Sequence, residues 1–163
     1  KMLTAPTLRT LAGAQNGKPF DPLGVSKIID VRFLREAELK HGRVAMLASI
    51  GWVTTDLGFR FPGVTLKSLE AHDKLVAAPY GGAMGQILLF VGALELFVGL
   101  PAVVYMMGGG DRAPGDFAFD PLRLSGPGAE ERELANSRLA MLSFGAIATQ
   151  AGLGHPDFPY AFW

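Results

Sequence analysis

Two stretches of the chain place lone-pair donors at the entry of otherwise apolar helices: "ELKHGRVAMLA" over residues 38–48 and "ELANSRLAMLS" over residues 133–143. Glu38 and His41 in the first, and Glu133 and Asn136 in the second, are side chains able to bind a metal ion. A neutral imidazole is a common ligand, and carboxylate and amide oxygens suit a hard ion such as magnesium. Gln150 lies fourteen residues past Asn136, on nearly the same helix flank and about 21 Å further along. A third apolar stretch carries its own polar pair, Gln86 and Glu95. Ionisable groups on membrane-length helices are costly unless paired, so each needs a physical reason to be there.

Two chemistries compete for these residues. Glu38-x-x-His41 has the ligand spacing of di-iron carboxylate bundles, which would make the chain a membrane oxidase. Such a site needs a second Glu-x-x-His, whereas the second copy reads Glu133-x-x-Asn136, and an arginine follows each motif by two residues. Guanidinium groups competing for the carboxylates oppose a dinuclear cation site. The alternative is a set of isolated sites, each giving one axial ligand to a macrocycle-bound magnesium. The scatter of His41, Asn136, Gln150, Gln86 and Glu95 fits that arrangement better than a single cluster.

The arginines have a use of their own. Glu38 and Arg43 are five residues apart, as are Glu133 and Arg138. That is about 140° of rotation, so neither pair closes comfortably within one helix. Two copies facing each other solve the problem: Glu38 meets Arg138 while Glu133 meets Arg43. The arcs between these charges hold Gly42, Met46, Ser49 and Val53 in one copy and Ser137, Met141, Phe144 and Ala148 in the other. Several are small, which permits close approach of the backbones. The repeat extends upstream to "FDPL" at residues 20–23 and again at 119–122.

The elements that must hold these residues are three helices. The predicted spans are residues 28–58, 83–107 and 130–152 within a single domain, 1–163. The expected fold is an all-α membrane protein with three transmembrane helices, the first and third crossed and related by pseudo-two-fold symmetry. A short amphipathic helix is expected around residues 66–75, and residues 108–128 are too rich in glycine and proline for regular structure. Hydrophobic residues make up 49% and charged residues 18%, below the roughly 25% of ordinary soluble domains. Lysine plus arginine equals aspartate plus glutamate at 15 each, which removes any basic surplus that would argue for nucleic acid. With no cysteine, disulfides and thiolate chemistry are excluded. No convergent nucleophile, base and oxyanion set and no phosphate-cradling loop is present, so an enzyme is not expected. Basic residues near the start place that end on the positive, cis side of the membrane and the C-terminus opposite. Because the sequence starts at Lys1, a processed N-terminus is expected.

These motifs resemble the two signature helices of the chlorophyll-binding light-harvesting complex superfamily, and "PGDFAFDPLRL" resembles its loop before the third helix. The phrases "GFRFPG" and "GQILLFVGALELF" are more similar to the red-lineage branch, the fucoxanthin–chlorophyll type. The resemblance implies a light-harvesting antenna in the plastid thylakoid, with a stromal N-terminus and a lumenal C-terminus. It implies chlorophyll ligands at Glu38, His41, Glu133, Asn136 and Gln150, and at the middle-helix residues Gln86 and Glu95, whose spacing is one longer than in green-plant members. Reciprocal pairing falls to Arg43 and Arg138. It also implies carotenoids (xanthophylls) near Met46 and Met141, and chlorophyll a with chlorophyll c or another accessory chlorophyll. The implied partners are a photosystem I or II core, neighbouring antenna subunits and thylakoid lipids. A photoprotective quencher shares every motif. The tail "GHPDFPYAFW" departs from the family's usual C-terminal helix, so no ligand role carries to His155. His72 is expected to be a solvated loop residue.

Overall fold

The computed structural model describes residues 20–60, 62–76 and 82–160. These residues are mostly helical, and no strand occurs among them. After a single 3₁₀ turn at Val25–Lys27, the helices are α1 (Val31–Asp56), α2 (Ser68–Val76), α3 (Ala83–Met107) and α4 (Ala129–Gly152).

Local chemistry sets the boundaries. Asp30 caps α1 by accepting from the Arg32 amide at 2.7 Å, which satisfies one of the orphan N–H groups of the first turn. Beyond its last turn the chain reverses through Gly58 at φ 98°, a conformation that glycine adopts without a Cβ penalty. α4 opens after Pro127 and Gly128, with Glu130 and Glu131 in the first turn, where the helix dipole favours negative charge.

α3 is continuous but not uniform. Residues Glu95–Gly99 form a π turn, and the Leu100 amide donates to the Glu95 carbonyl five residues back. Pro101 follows at once. A proline has no N–H to give and its ring crowds the preceding turn, so a wider turn there relieves the helix.

α3 is 25 residues long, and its most apolar 18-residue window has a mean hydropathy of 2.4. At about 1.5 Å per residue the whole helix reaches roughly 37 Å, against a hydrocarbon core of about 30 Å. α3 is the one described helix that is both long and apolar enough to cross a membrane. α1, at 26 residues, and α4, at 24, have comparable length but carry charged residues. Most of α3 is exposed, including Leu88, Leu89, Phe90 and Phe97.

α4 is the principal partner of α1. The buried residues of α1 are Glu36, Leu39, Gly42 and Ala45, spaced three apart, and those of α4 are Leu134, Ser137 and Ala151. Leu39 and Leu134 hold the same position in the two copies of the repeat, as do Gly42 and Ser137. Gly42 lies directly against Ser137: a Cβ at position 42 would collide with the Ser137 Cβ and stand 3.1 Å from its Cα. Glycine is therefore what lets the backbones approach this closely.

Candidate functional site

At this closest approach the charges of the repeat exchange partners. Arg43 Nε lies 2.6 Å from Glu133 Oε1, and Arg138 Nε lies 2.8 Å from Glu38 Oε1. Each glutamate is thus held by the arginine of the other copy, the arrangement that the five-residue spacing requires. The two contacts differ in support. Glu38 accepts a second guanidinium bond from Arg35 at 2.7 Å through its other oxygen. Arg43 instead spends Nη1 on the Gly115 carbonyl at 2.8 Å, and among the described residues it is the one cation paired with Glu133.

The predicted donors are spread over α1, α3 and α4. His41 is exposed on α1, and its Nδ1 sits 2.7 Å from the Ala37 carbonyl. A carbonyl only accepts, so Nδ1 carries the proton and Nε2 keeps an outward lone pair. Asn136, the equivalent residue on α4, is exposed too. Gln150, near the other end of α4, has a buried Oε1 without a hydrogen-bond partner among the described residues. Gln86 and Glu95 are exposed on α3. Glu95 Oε2 accepts from Lys40 of α1 at 2.6 Å. Met46 and Met141 are half-buried. The side chain of His72 lies outside the described residues. His155 is half-buried, and its amide donates to the Gln150 carbonyl at 3.0 Å.

Three features were not foreseen from the sequence. Glu36 is almost fully buried, and its carboxylate accepts both terminal nitrogens of Arg112 at 3.0 and 3.1 Å and the Gly115 amide at 2.5 Å. Arg112 also stacks over the Phe117 ring at 4.4 Å. This clamp straps the glycine-rich loop onto α1 beside the Arg43–Gly115 bond. Second, the "FDPL" copies do the same structural task. Asp21 accepts from the Val25 and Ser26 amides and the Ser26 hydroxyl, and Asp120 from the Leu124 and Ser125 amides and the Ser125 hydroxyl. These bonds hold both carboxyls below the usual aspartate range, the serine hydroxyl contributing most. Extending the repeat to FDPL-x-x-S would have revealed this device. Third, Tyr160 is buried and donates its hydroxyl to Asp56 Oδ2 at 2.8 Å, docking the tail on the end of α1. Burial, then that bond, pushes the Tyr160 phenol well above its ordinary value.

The donor set fits one-point coordination of separate metal-centred rings. Gln150 Oε1 is a buried acceptor with no partner among the described residues, the His41 Nδ1 bond to Ala37 favours the tautomer that leaves Nε2 free, and Glu133 has one oxygen outside its ion pair. A dinuclear centre asks for the opposite. No three His, Asp or Glu side chains converge to hold a metal among the described residues, and both Glu38 and Glu133 are bound by arginine.

Residues 6–152 match the family described as chlorophyll A-B binding protein. The chain is 33% identical over 152 residues to light-harvesting complex stress-related protein 1, chloroplastic, of Chlamydomonas reinhardtii, covering 80% of this chain and 59% of that protein. It is 36% identical over 150 residues to the fucoxanthin-chlorophyll a-c binding protein, chloroplastic, of Isochrysis galbana, covering 80% and 70%. It is 32% identical over 138 residues to fucoxanthin-chlorophyll a-c binding protein F, chloroplastic, of Phaeodactylum tricornutum, covering 79% and 67%. The chain thus spans less than two thirds of the stress-related relative. The matched region contains α1, α3 and α4 together with every donor described above, and on that basis the chain belongs to the chlorophyll a-b binding protein family.

Proposed function

We propose that the chain is a light-harvesting antenna subunit of the plastid thylakoid rather than an enzyme, passing excitation to a photosystem core and exchanging it with neighbouring antenna subunits. In this reading α1, α3 and α4 all span the membrane, α1 and α4 crossing as pseudo-two-fold mates, with the N-terminus stromal and the C-terminus lumenal. The swapped pairs neutralise Glu38, Arg43, Glu133 and Arg138 in place, which lowers the cost of carrying them into hydrocarbon. His41, Asn136, Gln86, Glu95, Gln150 and the paired Glu38 and Glu133 would each offer one nitrogen or oxygen donor to a chlorophyll magnesium. Bound chlorophylls supply the excited state; the chain fixes their spacing and orientation by mounting ligands on rigid helices. The half-buried Met46 and Met141 line the grooves beside the crossing and pack against carotenoids, for which a polarizable thioether is well suited. Chlorophyll a with chlorophyll c follows the fucoxanthin-type relatives.

The observation that carries this reading is His41. A histidine whose Nδ1 is tied to its own helix, and whose Nε2 faces outward from a close-packed helix pair, is arranged to bind something outside the polypeptide. Pigment extraction and chromatography of the protein purified in mild detergent test it. The expected result is several chlorophylls and at least one xanthophyll per chain, and a colourless preparation ends the proposal.

A second reading is favoured by the similarity to stress-related proteins: dissipation of excitation in place of delivery. Fluorescence lifetime separates them. A long lifetime supports the antenna, and a short one under all conditions supports the quencher.

A further inference from the structure

The Lys40–Glu95 bridge links α1 to the π turn of α3, apart from the arginine pairs that join α1 to α4. Lys40 Nζ binds only Oε2 of Glu95, at 2.6 Å, and leaves Oε1 without a partner among the described residues. The bridge needs its surroundings. A Cβ on Gly99 would overlap Glu95 Oε2 and stand 3.0 Å from Lys40 Nζ, so the glycine that closes the π turn is what lets the carboxylate lie flat along α3. The pair sits on an open groove whose walls are otherwise apolar, formed by Phe33, Gly92, Leu96, Leu100 and Val103. No Cβ contact would obstruct the space over Gly92.

We propose that Lys40 is the counter-charge that makes Glu95 a usable axial donor, positioning its free Oε1 for the magnesium of a chlorophyll ring lying in the α1–α3 groove. The inference rests on the antenna reading and adds Lys40 as a positioning residue from a different helix. A lone carboxylate on an apolar helix is expensive. Joined to one ammonium it becomes locally neutral while still offering an oxygen, and a flat ring then needs only the apolar walls and the glycine-cleared space. Lys40 also lies 5.8 Å from the centroid of the Phe117 ring, which packs against its charge on the loop side.

Three variants of the full chain, purified with their pigments, test the assignment by chlorophyll per polypeptide, absorption spectrum and detergent-unfolding midpoint. Lys40→Met should lose one chlorophyll and its absorption band while keeping the others. Lys40→Arg should retain the full complement. The exchange Lys40→Glu with Glu95→Lys keeps an ion pair between the helices, so its unfolding midpoint should return while it stays one chlorophyll short. A full complement in Lys40→Met, or an exchange variant that recovers both midpoint and pigment, reduces the bridge to an interhelical strut and overturns the inference. Should Lys40→Met not accumulate, Lys40→Gln, which keeps a polar contact to Glu95 without the charge, takes its place and is expected to lose the same chlorophyll. A wild-type chain without chlorophyll would instead overturn the antenna reading itself.

Discussion

The two swapped ion pairs look equivalent, but their surroundings make them unequal, and that inequality can be measured. Glu133 depends on Arg43, while Glu38 is shared between Arg138 and Arg35. Replacing Arg43 by leucine therefore strands a carboxylate, whereas the same change at Arg138 leaves Glu38 paired. Stranding a buried charge costs about 3–5 kcal/mol, and losing an exposed pair costs under about 1. The Arg43 and Glu133 side chains are 36% and 33% exposed, so their pair falls between these limits, at about 2–3 kcal/mol. Loss of the charged hydrogen bond to the Gly115 carbonyl adds about 1.5 kcal/mol. Arg43→Leu should thus cost about 4 kcal/mol and Arg138→Leu about 1. Even a gap of about 2 kcal/mol is roughly a 30-fold difference in the unfolding equilibrium. Detergent unfolding followed by helical circular dichroism reads this directly. Removing Arg35 as well as Arg138 should bring the loss up to that of Arg43→Leu. Equal costs for the two single variants, or a greater cost at Arg138, would refute the reasoning.

Four further outcomes follow from the same geometry. His41→Leu should release one chlorophyll and leave the unfolding midpoint nearly unchanged; an unaltered pigment count would reject the ligand role. Gly42→Ala should destabilise the α1–α4 contact by about 1–3 kcal/mol, and adding Ser137→Gly should recover much of that loss, both read by thermal unfolding. Because the native Asp21 and Asp120 carboxyls lie below their unfolded values, their contribution to loop order is complete above about pH 4 and is lost as pH falls through the lowered native values. Hydrogen exchange at the Leu124 and Ser125 amides should accelerate over that acid range, and Asp120→Asn should remove much of the pH dependence. Tyr160→Phe should loosen the tail by about 1–2 kcal/mol, visible as faster proteolysis after residue 152.

The swapped ion pairs between α1 and α4 were legible because the repeat writes both halves of each contact: an acid and a base five apart, twice, have one comfortable solution. The short helix was legible from the apolar spacing between Leu66 and Leu75 and forms at Ser68–Val76. Glu36 was not. Its counterpart in the second copy is Glu131, which is exposed, so the repeat gave no warning of a buried carboxylate. Its partner Arg112 lies 76 residues away in a loop whose glycines and prolines conceal any regular pattern. The Lys40–Glu95 bridge was hidden for a related reason. Lys40 has an alanine, Ala135, as its repeat mate, and α3 belongs to neither copy. The π turn left only Pro101 as a sign, and a proline alone fits a kink, a break or a wide turn equally well.

The Glu36 clamp ties the fate of one loop to that of one helix. Its acid sits on α1 and its base 76 residues on, among glycines and prolines that have no regular structure of their own. Unfastening Arg112 would strand a buried carboxylate and release the loop backbone at once, so strap and helix face should come apart as a single cooperative unit.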